Sequence, residues 1–175
     1  MYMFVIMMKR GYDFAYTEMI SQAFIFKEAR RIARRSNCAK RRLGTVLVKN
    51  GGIISTGWNT CRCGGSPRNR KIKREDCFRI HLHNGKGYEL ARAVHAEVSA
   101  ILHIRKRRRA VDYEQCITTV VPTTTLIEKF LTEKERDLLR GATMYLSGHT
   151  YACDSCKQWC KLCGISDIII EDGAA

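Results

Sequence analysis

No apolar run in the 175-residue chain reaches the roughly 20 residues needed to cross a bilayer. The opening stretch, Met1 to Met8, is apolar, but the basic residues Lys9 and Arg10 come after it. A secretory signal has the opposite order and a cleavage site, so a cytoplasmic protein with no membrane partner is expected. Aromatic residues make up only 9% of the chain and are not interleaved with its basic clusters, which argues against a stacking platform for single-stranded nucleic acid. No internal repeat is apparent. Acidic residues are outnumbered: 17 Asp and Glu stand against 31 Lys and Arg, for a net charge of +14. Such a field attracts anions, whether nucleotides, nucleic acid or acidic surfaces. The positive residues gather at Arg30, Arg31, Arg34 and Arg35, at Arg68 to Arg74, and at Arg105 to Arg109. Each cluster taken alone reads first as a solvated face, because charge sets attraction and on-rate rather than fold or substrate.

Cysteine, by contrast, is plentiful. Nine cysteines in a cytoplasmic chain point to thiols and metal rather than a disulfide framework. Two short segments give this meaning: His95-Ala96-Glu97, and much later Cys153-Asp154-Ser155-Cys156. One His and two Cys offer a nitrogen and two sulfurs to a tetrahedral Zn²⁺. Three protein ligands leave the fourth position open for water, the arrangement of a catalytic zinc. Glu97, two residues from His95, is placed to reach that water without being a ligand. Either half alone is a weak signal, since a lone Cys-x-x-Cys is equally at home in redox and structural roles. Together and in this order they match the His-x-Glu, Pro-Cys-x-x-Cys signature of zinc-dependent nucleobase deaminases. The longer run Cys153, Cys156, Cys160, Cys163 imitates a four-cysteine site. On a helix, however, it spans about 15 Å, too far for one ion. Cys160 and Cys163 are therefore expected to be small buried core residues.

Periodicity gives the frame. Residues 21–35 read as a helix, with Phe24, Ile25, Ala29, Ile32 and Ala33 at helical spacing. Residues 43–48 and 53–57 read as strands joined through Asn50-Gly51, a strong hairpin signal. Residues 61–86 form a Gly-, Arg- and Cys-rich loop. A helix over 95–104, a strand over 143–147, a helix over 153–163 and a strand over 165–170 follow. The expected architecture is α/β in one domain covering 1–175: a small mixed sheet with helices on its faces. Residues 1–20 are an N-terminal extension, and 107–140 are an insertion between the two zinc motifs. In that insertion Thr123-Thr124-Thr125 caps a helix through Leu139, with Leu126, Ile127, Phe130, Leu131, Leu138 and Leu139 as its apolar stripe. It reads as a surface insertion or an oligomer contact, ahead of a lid.

The run from Gly87 to Glu97 resembles the deoxycytidylate (dCMP) deaminase family, within the cytidine/dCMP deaminases. Ser36-Asn37-Cys38, Leu43 to Val48, Ile53 to Asn59 and Gly141 to Leu146 resemble that family's first helix end, first hairpin and the strand leading to its cysteine pair. The resemblance covers roughly residues 20–105 and 141–171. Ala152 stands where Pro usually precedes the first Cys, and Thr60 where Gly usually follows the Asn. The segment between the metal motifs is long, and many relatives continue past the last strand-like run.

The resemblance implies a cytidine-deaminase-like three-layer fold whose helices carry the zinc ligands His95, Cys153 and Cys156. Glu97 becomes the proton shuttle for hydrolytic deamination of dCMP to dUMP. Asn59 becomes a contact to sugar or base, and the Ala96 N–H a contact to the base carbonyl. Arg105 and Lys106 follow the metal helix where relatives bear a basic phosphate contact. Some dCMP deaminases carry a second, structural zinc, for which Cys38, Cys61, Cys63, Cys77, His81 and His83 are the donors here. A nucleotide substrate and a homo-oligomer are the expected partners. A nucleic-acid deaminase is a rival that the net charge favours. A catalytically degenerate zinc- or nucleotide-binding regulatory module is a second rival, against which the intact Glu97 argues.

Overall fold

A computed structural model of the chain describes residues 20–61, 77–81, 93–104 and 122–172. The first helix, α1, is Gln22–Ala33, and Ser21 caps it by accepting a hydrogen bond from Phe24 N at 3.3 Å. β1 (Gly44–Lys49) and β2 (Gly52–Trp58) form the expected hairpin. Asn50 and Gly51, at φ 51° and 73°, make its turn, the pair of positive values a type I′ turn needs. Then come β3 (Thr60–Cys61), a 3₁₀ turn at Phe78–His81, β4 (Ala93–Val94) and α2 (Ala96–Leu102). The chain continues through α3 (Thr124–Phe130), α4 (Glu133–Leu139), β5 (Thr143–Ser147), α5 (Asp154–Leu162) and β6 (Asp167–Ile170).

The main sheet has the order β2-β1-β5-β6. β1 is antiparallel to both β2 and β5, and β6 is parallel to β5, so the sheet is mixed as expected. The register sorts the side chains. Val46 lies opposite Tyr145, and this face packs with Ile25 and Ala29 of α1. The next pair, Leu47 and Met144, points to the other face and joins Val98, Ile101, Cys156 and Trp159 of α2 and α5. Period-2 alternation on a sheet covered on both sides thus produces three layers. No helix among the described residues is long and apolar enough to cross a membrane.

The segment after Pro122 departs from expectation. One helix was expected from Thr123 to Leu139; two short ones form. Thr123 does cap the first, accepting from Leu126 N at 3.2 Å. The backbone then turns extended at Leu131, and Thr132 starts a capping box with Glu135. That reciprocal pair satisfies the donors of a new helix N-terminus and so competes with continuing the old one. The break rotates the stripe: Ile127, Phe130, Leu131 and Leu139 are buried in the main core, while Leu138 is turned out to solvent. Phe130 meets Trp159 of α5 with ring centroids 6.4 Å apart. The apolar side of this stretch belongs to the main core and buttresses the helix that carries the cysteine pair, while its polar side is exposed.

One close approach positions α2. A Cβ on Gly57 would overlap the backbone of Ala96 and Ala100, so only glycine lets β2 lie directly against this helix. Ser55 reinforces the contact by donating to Ala100 O at 2.6 Å. Gly57→Ala is expected to cost at least about 2 kcal/mol, since backbone cannot yield as a side chain does. Gly52→Ala, where a Cβ meets only ordinary contact at 3.8 Å, is expected to be near neutral. Denaturant midpoints of the two variants check the contrast.

Candidate metal centre

Two helix N-termini build the site. His95 is the N-cap of α2 and Cys153 the N-cap of α5, and neither side chain is spent on a capping hydrogen bond. Both can therefore face a third group. Cys156 follows within the first turn of α5 and is fully buried. The Nδ1 of His95 lies 3.3 Å from the Cys156 sulfur and 3.5 Å from the Cys153 sulfur, and all three ligand atoms fall within 4.8 Å of one another. Zn–N of about 2.05 Å and Zn–S of about 2.3 Å at a tetrahedral angle require an N···S separation of about 3.6 Å. The three side chains are thus spaced as one tetrahedral zinc needs. A second strand pair helps to aim them: Thr60 pairs with Val94, tying the end of the hairpin to the residue before His95.

Glu97 sits one residue into α2, 3% exposed, and its Oε2 has no hydrogen-bond partner. Burial raises its carboxyl above the ordinary value, and the nearby His95 charge opposes the rise. A buried, unpartnered carboxylate oxygen beside a metal-ligand set is expensive as mere structure and useful as a proton carrier. The thiols divide their roles. A hydrogen bond from Cys156, aided by His95, pulls the Cys153 thiol down to about 4 despite burial. The same bond and burial push Cys156 well up. Cys160 and Cys163 are buried core residues as expected: Cys160 touches Met144 sulfur at 3.7 Å, and burial pushes the Cys163 thiol up to about 12.

Ala152, which takes the place of the usual Pro, is buried against Ala96 and Leu146, so its methyl closes the contact between the two ligand-bearing segments. Ala96 is the first residue of α2, and its N–H is one of the donors a helix start leaves unpaired. The Asn59 amide is already at work within the protein: Oδ1 accepts from Leu43 N at 2.8 Å and Nδ2 donates to Arg41 O at 2.9 Å. It fixes the 41–43 segment beside the site. Cys38, Cys61 and Cys77 gather with Ala93 in one buried cluster. Asn37 holds it by exchanging two hydrogen bonds, of 2.8 and 2.9 Å, with the Cys61 backbone. His81 is exposed, and Cys63, His83, Arg105 and Lys106 lie outside the described residues.

The sequence profile described as the cytidine and deoxycytidylate deaminase zinc-binding region matches residues 19–172. The chain belongs to this family. Among curated proteins, it is 33% identical over 93 residues to a deoxycytidylate deaminase of Schizosaccharomyces pombe and 32% identical over 87 residues to that of Saccharomyces cerevisiae. Each match takes in 49% of this chain and 26% of the relative, so the chain spans about a quarter of the length of the curated relatives it matches. Among solved structures, dCMP deaminase from the cyanophage S-TIM5 in complex with dCMP and dUMP is similar at a TM-score of 0.47 and 18% identity, over 87% of this chain and 83% of that one. Acinetobacter baumannii RibD is similar at 0.41 and 14%, over 84% of this chain and 26% of that one. His95, Glu97, Cys153 and Cys156 all lie within the matched residues.

Two ring side chains near the cysteine pair carry no sequence pattern. His149 and Tyr151 stand in the loop between β5 and α5, with ring centroids 4.3 Å apart and an edge-to-face angle of 89°. The available signal was an imidazole and a phenol within four residues of the first Cys ligand. No periodic pattern marks a loop, so the signal carried no weight.

Proposed function

We propose that this protein deaminates dCMP to dUMP and ammonia, with one zinc at His95, Cys153 and Cys156. The observation that carries the reading is Glu97: a buried carboxylate with an unpartnered oxygen, beside a complete N/S ligand set. Zinc, when bound, brings the pKa of water toward ~7 and so makes a nucleophile available at neutral pH. Glu97 takes the proton from the attacking water and delivers it to N3 of the pyrimidine. The water oxygen bonds to C4, and Glu97 then carries the proton of the new C4 hydroxyl to the amine, which leaves as ammonia as the C4 carbonyl forms. Its burial supports this, because a raised pKa brings a carboxyl closer to the neutral operating range. The Ala96 N–H holds the base carbonyl. Asn59 meets sugar or base with the hydrogen-bonding capacity left over from Arg41 and Leu43. Arg105 and Lys106 meet the phosphate. The names of the curated relatives favour dCMP over other amino-bearing bases. A regulatory module without catalysis has no use for Glu97.

The test is ammonia release from the zinc-loaded protein given dCMP, CMP, deoxycytidine or guanine. Turnover is expected to be fastest with dCMP. Equal or faster release from guanine would discard the reading. A homo-oligomer is part of the same proposal, and its mass in solution is read by light scattering.

The buried trio Cys38, Cys61 and Cys77 supports a second, structural zinc, completed by a donor from Cys63, His81 or His83. Metal analysis is then expected to approach two ions per chain. Cys77→Ser is expected to remove one ion, lower the unfolding midpoint and leave the catalytic ion in place. A stoichiometry of one in the wild type would dismiss it.

A further inference from the structure

The main sheet ends at β6, and no strand lies along the outer edge of β6 among the described residues. The ladder fixes which groups face outward. Glu171 N–H donates to Leu146 O at 3.0 Å, toward β5. Backbone groups alternate sides along a strand, so the N–H and C=O of Ile168 and Ile170 point away from β5. The side chains of this edge are apolar on both faces. Ile168 packs toward the core of α2 and α5, whereas Ile169 pairs with Tyr145 on the face that α1 covers. Ile168, Ile169 and Ile170 are all only half-buried. Such an edge is a template for a further strand. Its ends are acidic. Glu171 is engaged by Arg30 and Ser147, but Asp167 and Asp172 have no ion pair among the described residues. A fitting partner is therefore apolar on both faces and positive at one end. A second copy of β6 fits poorly: antiparallel pairing sets its Asp167 against Glu171 and Asp172, and parallel pairing sets Asp167 beside Asp167.

We propose that Tyr2 to Met7 of this same chain pair with the outer edge of β6 as an antiparallel fifth strand, with Lys9 and Arg10 beside Asp167. Residues 1–19 lie outside the described residues, and the sequence of their first part matches the edge. Met1 to Met8 is an unbroken apolar run that includes Tyr2, Phe4, Val5 and Ile6, and Lys9 and Arg10 follow it. A strand covered on both faces needs such a run rather than an alternating one. The connection fits as well. Ile20 packs on Val48, whose partner Thr143 lies opposite Asp167, so the chain enters α1 at the Asp167 end of the sheet. An antiparallel strand leaves β6 at that same end. Residues 9–19 reach up to about 35 Å when extended, against about 10 Å for two strand spacings. The segment then seals an edge that otherwise invites other chains.

Amide exchange of the zinc-loaded full chain, resolved by residue and run at two protein concentrations, tests this. The Ile168 and Ile170 amides are expected to exchange slowly although they point away from β5. Neighbouring residues alternate, so one of Phe4 and Val5 faces β6. The double variant Phe4→Pro, Val5→Pro thus removes a ladder donor in either register. It is expected to speed exchange at Ile168 and Ile170 at least about 10-fold, while Ile169 and Glu171, bonded to β5, change little. Lys9→Glu with Arg10→Glu is expected to speed the same two amides by about 2- to 5-fold, and adding Asp167→Lys to restore them. Fast exchange of Ile168 and Ile170 in the wild type would overturn the proposal, leaving an edge open to water. Slow exchange that the proline variant does not alter would overturn it too, and protection that grows with protein concentration would make the occupant a second copy. The readout is independent of substrate, so the dCMP reading stands or falls separately.

Discussion

Glu97→Gln is expected to keep its fold and its zinc and to lose turnover by about 10³- to 10⁴-fold, the upper range for positioned acid–base groups. The amide has the shape of the carboxyl but cannot take a proton from water or hand one to N3. Because Glu97 sits in the first turn of α2, a helix whose residues are all buried, and Gln has its shape, the swap leaves packing intact. Removing a buried carboxyl whose Oε2 has no partner is expected to leave stability unchanged or raise it. Loss of rate without loss of stability is the mark of a group kept for chemistry. Ammonia release and thermal unfolding of the variant together check it, and near-normal turnover would make Glu97 a bystander.

Cys153→Ser is expected to lower metal content by one ion per chain and to abolish activity with it. A serine oxygen is a poor ligand at neutral pH, and two remaining donors do not hold a zinc against solvent. The fold is expected to survive: Cys153 is partly exposed at the start of α5, and that helix is anchored by Trp159 and Cys160 in the core. Elemental analysis of a His95→Ala, Cys153→Ser, Cys156→Ser variant gives the firmest answer. Retention of the full metal complement in that triple variant would place the catalytic zinc elsewhere.

Much of this was legible in the chain itself. The hairpin announced itself through Asn50-Gly51, because a turn with two positive φ values accepts few other pairs. The clustering of His95, Cys153 and Cys156 was legible because a zinc site demands particular donor types at short spacing. The break at Leu131 was not legible. Its apolar stripe runs on past Thr132, and periodicity weighs the stripe more heavily than a capping box that only wins once the core is formed. The reach of Asn59 to Arg41 and Leu43 was equally hidden, since the partners lie 18 and 16 positions away. The gathering of Cys38 with Cys61 and Cys77 came from the family resemblance, since no fixed spacing joins the three. Motifs that share one ion can be read in sequence; contacts chosen by packing cannot.

The measurement that tests the central claim most directly is deamination of dCMP and of a cytosine-bearing single strand by the same zinc-loaded protein across a salt series. A monophosphate needs one or two cationic contacts, so turnover of dCMP is expected to be the faster and to change little with salt. Most of the net charge of +14 is then surplus to catalysis. A strand-binding enzyme neutralises many phosphates and loses affinity steeply as salt rises, because each contact releases a counterion. Faster turnover of the strand, with a steep salt slope and little activity on dCMP, would contradict the account.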